Sequence, residues 1–313
     1  MLFNYIFIVK RSDCLKRSID FIDKYKRFID KGWIVKISKS KLDRWINNFG
    51  DNLDCAHFLL DALVFYKESQ IISIIKELQN VMQSQLYSEL QSKNPVRLCD
   101  KELFNFWEVF IKKTCLIAVA KPDNAAGSGH QALRLWRDNS RFVNASIIKL
   151  EENISAGCNN IFFVDDFIGT GTRIDQFLSD NILDVNFHPH NVIDVVAKHP
   201  EIKFGVITFV AYKKSLETLM NKYPNINFIS SEIFDNTYNL LSEDCLFFAD
   251  FEDEKKSIIE YIREKKACIK TSNDYALNLS LAFEYGFPNN SLELYWTEEI
   301  ENWCNLIKHR RSY

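Results

Sequence analysis

Residues 161 to 173 read IFFVDDFIGTGTR, and the order of their types decides how the chain is built. Ile161 to Val164 form a short apolar run bounded by polar residues, the pattern of a buried strand. Two adjacent carboxylates, Asp165 and Asp166, stand at its end. Gly169, Thr170, Gly171 and Thr172 follow, and Ile174 to Leu178 has helical spacing. Glycines at a helix start let backbone N–H groups approach an anion, and threonines add hydroxyl donors. The carboxylates repel phosphate, so they suit sugar hydroxyls or a metal. A phosphosugar site is the chemistry these types share; the plain alternative is a tight turn after a buried strand.

Outward from this stretch, short apolar runs alternate with helical patterns. Strands are expected at Cys115 to Ala120, Asn144 to Leu150, Asn160 to Val164, Phe204 to Tyr212 and Ile226 to Ser230. Helices are expected at Gly129 to Arg137 and Lys213 to Tyr223. Such alternation predicts an α/β fold, a mostly parallel sheet with helices on both faces. Asn181 to Pro200 reads as a surface loop leading into a short helix. It holds His188 and His190, but no acid or cysteine at ligand spacing.

Residues 1–113 read as a helical N-terminal region. Ser40 starts one amphipathic helix, running to Phe49. Ala56 to Met82 suggests two more, broken near Lys67 to Ser69, and Glu102 to Ile111 another, with Asn94-Pro95 as a break. The division expected is 1–113 helical, 114–235 α/β core, and 236–313 a C-terminal extension, with a charged helix at Asp253 to Lys266.

Composition sets limits. The 313 residues suffice for a sizeable core, and a formal charge of -3 gives no general pull toward nucleic acid. Eight cysteines without a CxxC pair predict reduced thiols in a cytoplasmic protein. The opening MLFNYIFIVKR is far shorter than the ~20 residues that span a bilayer. Its positive charges follow the apolar run, the reverse of a secretory signal. A buried strand or helix is expected there, and no membrane contact.

The strand, acid pair and Gly/Thr loop together resemble the phosphoribosyl diphosphate signature of type I phosphoribosyltransferases. There is neither a GxGxxG nor a Gly-Lys-Ser/Thr to support a dinucleotide or triphosphate loop. The resemblance covers a dozen residues closely and extends loosely over 115–235. It implies that Gly169, Thr170, Gly171 and Thr172 hold the 5-phosphate. Arg173, where the family more often has Ser or Thr, adds charge to the phosphate or solvates the helix. Asp165 and Asp166 would meet the ribose hydroxyls, help place Mg²⁺ and stabilise the cation developing at C1. A second loop should hold the diphosphate, and Lys121 with Gly127, Ser128 and Gly129 is the candidate. Leu150 to Asn160 matches the family's mobile loop by position.

The family's acceptor hood is variable; here Phe283, Tyr285, Asn289, Asn290 and Trp296 offer aromatics to stack and amides to read a nucleobase. They serve equally as core aromatics and a Pro-Asn-Asn turn. The form Phe-x-Tyr-x-x-Pro-Asn-Asn-Ser-Leu-x-x-x-Trp is similar to divergent phosphoribosyltransferase-like proteins of bacterial anti-phage and retron loci. Two functions follow from these resemblances. One is a Mg²⁺-dependent transferase acting on phosphoribosyl diphosphate or a related phosphosugar, serving in defence instead of salvage. The other is a non-catalytic sensor whose residues 1–113 bind a protein or nucleoprotein partner. Lys10, Arg11, Lys16, Arg17, Lys24, Lys26 and Arg27 supply basic charge for that partner, mixed with Asp13, Asp20 and Asp23.

Overall fold

A computed structural model describes residues 23–32, 37–120, 127–142, 144–146, 150–180, 182–183, 189–269 and 277–307. The opening apolar run, Lys121 and His188 lie outside them. The centre is a parallel sheet in the order β3 (Asn144–Ser146), β2 (Thr114–Ala118), β4 (Asn160–Val164), β8 (Lys203–Tyr212), β9 (Ile226–Phe234). A two-residue strand, β5 (Phe167–Ile168), pairs with β8 beyond the end of β4. The line of β4 is therefore interrupted only at Asp165 and Asp166.

Alternation along these strands sorts two cores. Leu116, Ala118, Phe162, Val164, Ile207 and Phe209 face one side. There they meet α3 (Glu68–Lys93), α4 (Asp100–Lys112) and α5 (Ser128–Asn139). Cys115, Ile117, Ile161, Phe163, Phe204 and Val206 face the other side. They meet α7 (Thr172–Ser179), α8 (Val192–Lys198) and α9 (Lys213–Lys222). The expected α/β architecture, covered on both faces, is what the chain adopts. Among the described residues no helix is long and apolar enough to cross a membrane.

The N-terminal region departs from an all-helical reading. Its first amphipathic helix, α1, spans Lys39–Asn47 and is capped by Ser38, two residues before the expected start; the Ser38 hydroxyl accepts from Lys41 N at 3.2 Å. Between α2 (Leu53–Asp61) and α3 lies a strand, β1 (Val64–Tyr66), parallel to β10 (Leu281–Phe283). Three residues paired with a segment more than two hundred positions away leave no local periodicity to read. The 181–200 segment contains a small antiparallel pair, β6 (Ile182–Leu183) with β7 (Pro189–His190), before α8. A helix, α6 (Leu150–Ser155), occupies part of the expected mobile loop.

The first and last stretches share one hydrophobic cluster. Trp45, Phe58 and Leu59 pack with Leu240, Phe248, Ile262, Phe287, Tyr295 and Leu306. Trp45 donates to Leu294 O at 3.1 Å, and Tyr295 donates to Leu59 O at 2.6 Å. Two of the basic residues near the N-terminus are paired: Lys24 with Asp61 at 2.7 Å and Lys26 with Asp43 at 3.0 Å.

Asp61 also meets His57 Nε2 at 2.9 Å and the Tyr25 hydroxyl. Burial would raise its carboxyl, but bonds and charge from His57, with Lys24 and Tyr25, hold it down at about 2. A depressed carboxylate stabilises the fold above its unfolded value of about 3.9, and that stability is lost as pH falls from about 4 to 2. With 30% of the side chain exposed, the loss is expected to be about 1 to 2 kcal/mol. Urea midpoints at pH 5 and pH 2 should fall further for the wild type than for Asp61→Asn.

Candidate active site

The acid pair lies where β4 gives way to β5, at the carboxyl end of the central strands, where ligands of open α/β sheets bind. Backbone bonds fix the break. Asp165 N donates to Ile207 O at 3.1 Å, and Asp166 O accepts from both Phe209 N and Val210 N at 3.2 Å. Both carboxylates are buried, Asp165 completely and Asp166 at 1% exposure.

The two carboxylates have different partners. Asp165 meets the loops. Its Oδ1 accepts from Asp166 N at 2.9 Å and from the Ser128 hydroxyl at 3.2 Å. Its Oδ2 lies 3.5 Å from Arg173 Nε. Asp166 meets the C-terminal segment, where Tyr285 donates its hydroxyl to Oδ2 at 2.9 Å. Burial, with the Asp165 charge, pushes the Tyr285 phenol well above its usual value, so it stays a donor.

Two helix N-termini open beside this pair. Gly127 caps α5, and Gly171, at φ 84°, caps α7; only glycine takes that left-handed conformation without cost. Thr170 and Thr172 face each other with hydroxyls 3.2 Å apart. Arg173 joins the loops: Nη2 donates to Val119 O at 2.7 Å and Nη1 to the Ser128 hydroxyl. Its guanidinium thus braces the site. It reaches Asp165, an interaction the sequence did not suggest.

The expected residues therefore gather unevenly. Asp165, Asp166, Gly169 to Arg173 and Gly127 to Gly129 come together, while Lys121 lies outside the described residues. Of the C-terminal candidates, Tyr285 reaches Asp166. Asn290 lies against Gly169, where an added Cβ would fall 1.8 Å from Asn290 Oδ1. Asn289 is exposed, Phe283 is buried in the sheet core, and Trp296 packs in the terminal cluster. Thr208, in β8, was missed. It is fully buried, directly follows the residue that binds Asp165 N, and its hydroxyl has no hydrogen-bond partner among the described residues. A small hydroxyl inside the apolar run FGVITFVAY was the signal that could have found it.

Residues 42–309, most of the chain, match the PRTase-CE family. The chain belongs to that family. PRTase-CE is a phosphoribosyltransferase-type family, and the match spans the acid pair, both loops and the C-terminal segment. At this coarse level the chain is a phosphoribosyltransferase-like transferase. A comparison with curated proteins gave no match.

Proposed function

We propose that the chain binds phosphoribosyl diphosphate and transfers its ribose 5-phosphate, at C1, to a nitrogen acceptor. The observation that carries this reading is the Ser128–Asp165–Arg173 junction, which sets two glycine-started helix N-termini on one buried carboxylate. One loop suits a 5-phosphate through the N–H groups and hydroxyls of Gly169 to Thr172. The other, from Gly127 to Gly129, suits a diphosphate. Between them the acids suit the ribose.

In the reaction the C1–O bond breaks and its electron pair leaves with diphosphate, while the acceptor nitrogen's lone pair forms the new bond. Positive charge builds on the ring as the bond breaks. Buried carboxylates already fixed in place stabilise that charge without reorganising. The donor set also suits Mg²⁺. It offers two hard carboxylates beside a phosphate loop, and Mg²⁺ is held by one or two carboxylates plus substrate phosphates. Among the described residues no group of three or more His, Cys, Asp or Glu could hold an ion alone. Asp165 and Asp166 would thus share Mg²⁺ with the diphosphate, whose departing charge it would neutralise.

Service in a bacterial defence system fits the Phe283 to Trp296 resemblance and belongs to the same proposal. Calorimetry with phosphoribosyl diphosphate, with and without Mg²⁺, tests the binding step, and diphosphate release against bases, nucleotides and nucleic acids tests transfer. Binding strengthened by Mg²⁺, with release for one acceptor class, is the expected result. Absence of binding overturns the proposal; tight binding without release by any acceptor favours the sensor.

A further inference from the structure

Residues 279–295 run from the terminal cluster to the acid pair, and two of their side chains end on the two halves of the phosphate-loop motif. Tyr285 donates to Asp166, and the Asn290 amide lies over Gly169. A nucleobase reader would face outward from the donor; these side chains face the groups that would hold the donor itself.

Tyr285 is braced from several directions. Its ring lies parallel to Phe283, with centroids 5.4 Å apart, and Phe283 stacks in turn on Tyr66 at 5.7 Å. Phe283 and Gly286 exchange backbone bonds of 3.1 and 2.9 Å, closing a tight turn around Tyr285. Glu284 N donates to Tyr66 O at 2.9 Å, and the Glu284 carboxylate accepts from Glu68 N, at the start of α3, at 2.9 Å. The residues that precede the tyrosine are therefore tied to the N-terminal strand and helix, and the turn ties the residue that follows it to Phe283. A residue so held is a fixed post, not a lid.

We propose that Tyr285 is a positioning residue for the donor: its hydroxyl fixes Asp166 Oδ2, turning the carboxylate toward the ribose, so that the C-terminal segment sets donor affinity. This rests on the donor reading above. It moves Tyr285 from the acceptor side of the site to the donor side, and gives the segment a task independent of which acceptor is used.

Tyr285→Phe keeps the stacked ring and removes only the hydroxyl. A hydrogen bond to a charged group contributes about 1.5 kcal/mol or more, so the variant should bind phosphoribosyl diphosphate about tenfold more weakly in the presence of Mg²⁺. Inorganic phosphate, which needs only the Gly/Thr loop, should bind both proteins equally and so reports an intact fold. In an Asp166→Asn background the same substitution should add less than about twofold, because the hydroxyl acts through that carboxylate. Unchanged or tighter donor binding by Tyr285→Phe overturns the inference, as does equal weakening of inorganic phosphate or full additivity with Asp166→Asn. A wild-type chain that does not bind the donor overturns the donor reading and this inference together, and the wild-type titration alone distinguishes the two failures.

Discussion

Asp165→Asn is expected to slow phosphoribosyl transfer by about 10²- to 10³-fold, the usual loss when a preorganised electrostatic group is removed from a reacting centre. Fold and charge can be separated at this position. The amide oxygen of Asn can still accept from Asp166 N and from Ser128, the two bonds that orient the group. What disappears is the negative charge. Its partner Arg173 has a side chain 46% exposed, so the guanidinium can turn to solvent without leaving a buried cation. Stability should consequently fall by only about 1 kcal/mol, while diphosphate release drops by orders of magnitude. The rate of release at saturating donor, beside a urea midpoint, checks both halves. Near-normal release by a folded Asp165→Asn chain would remove the carboxylate from the chemistry.

The contrast between what could and could not be read from the sequence has a physical basis. IFFVDDFIGTGTR was legible because each residue type there answers a local demand. The strand needs apolar residues on both faces, and Gly171 needs a positive φ. The central strands were legible for the same reason, since a buried parallel strand is a nearly continuous apolar run. All five residues of β2 and of β4 are buried, and only the first of each, Thr114 and Asn160, is polar. Pairing between distant segments carries no such local mark. Val64–Tyr66 joins Leu281–Phe283, and Trp45 finds Leu294, only because the chain ends fold onto one another.

The candidate site divides along the same line. Its loops announce themselves by composition: four of the chain's nine glycines stand in them. The partners of those loops do not. Arg173 looked like a phosphate ligand or a solvated helix residue, yet it bridges Val119, Ser128 and Asp165. Tyr285 and Asn290 stood out by type as either acceptor-reading residues or core and turn residues, and only tertiary packing reveals which groups they touch.

Gly129→Ala should destabilise the chain by about 3 kcal/mol, at the upper end of the usual cost of overpacking. The contrast with Gly169 explains why. A methyl at Gly169 meets the Asn290 side chain and the edge of the Phe167 ring, both side chains and not backbone. A methyl at Gly129 would fall 2.3 Å from Val119 O and 2.9 Å from Val119 C, both backbone atoms. That backbone cannot easily yield, because Val119 N donates to Val164 O at 2.9 Å and Val119 O accepts from Arg173. Either α5 lifts from the sheet or the end of β2 is pushed out of line. Both movements pull Ser128 from Asp165 and separate the two loops. The variant should therefore unfold at lower urea and, where still folded, bind phosphoribosyl diphosphate more weakly. Gly169→Ala should cost less stability than Gly129→Ala while disturbing the Asn290 and Phe167 contacts. Equal urea midpoints for Gly129→Ala and the wild type would show that α5 does not start in contact with the strand, and the close junction of the two loops at Asp165 would fall with it.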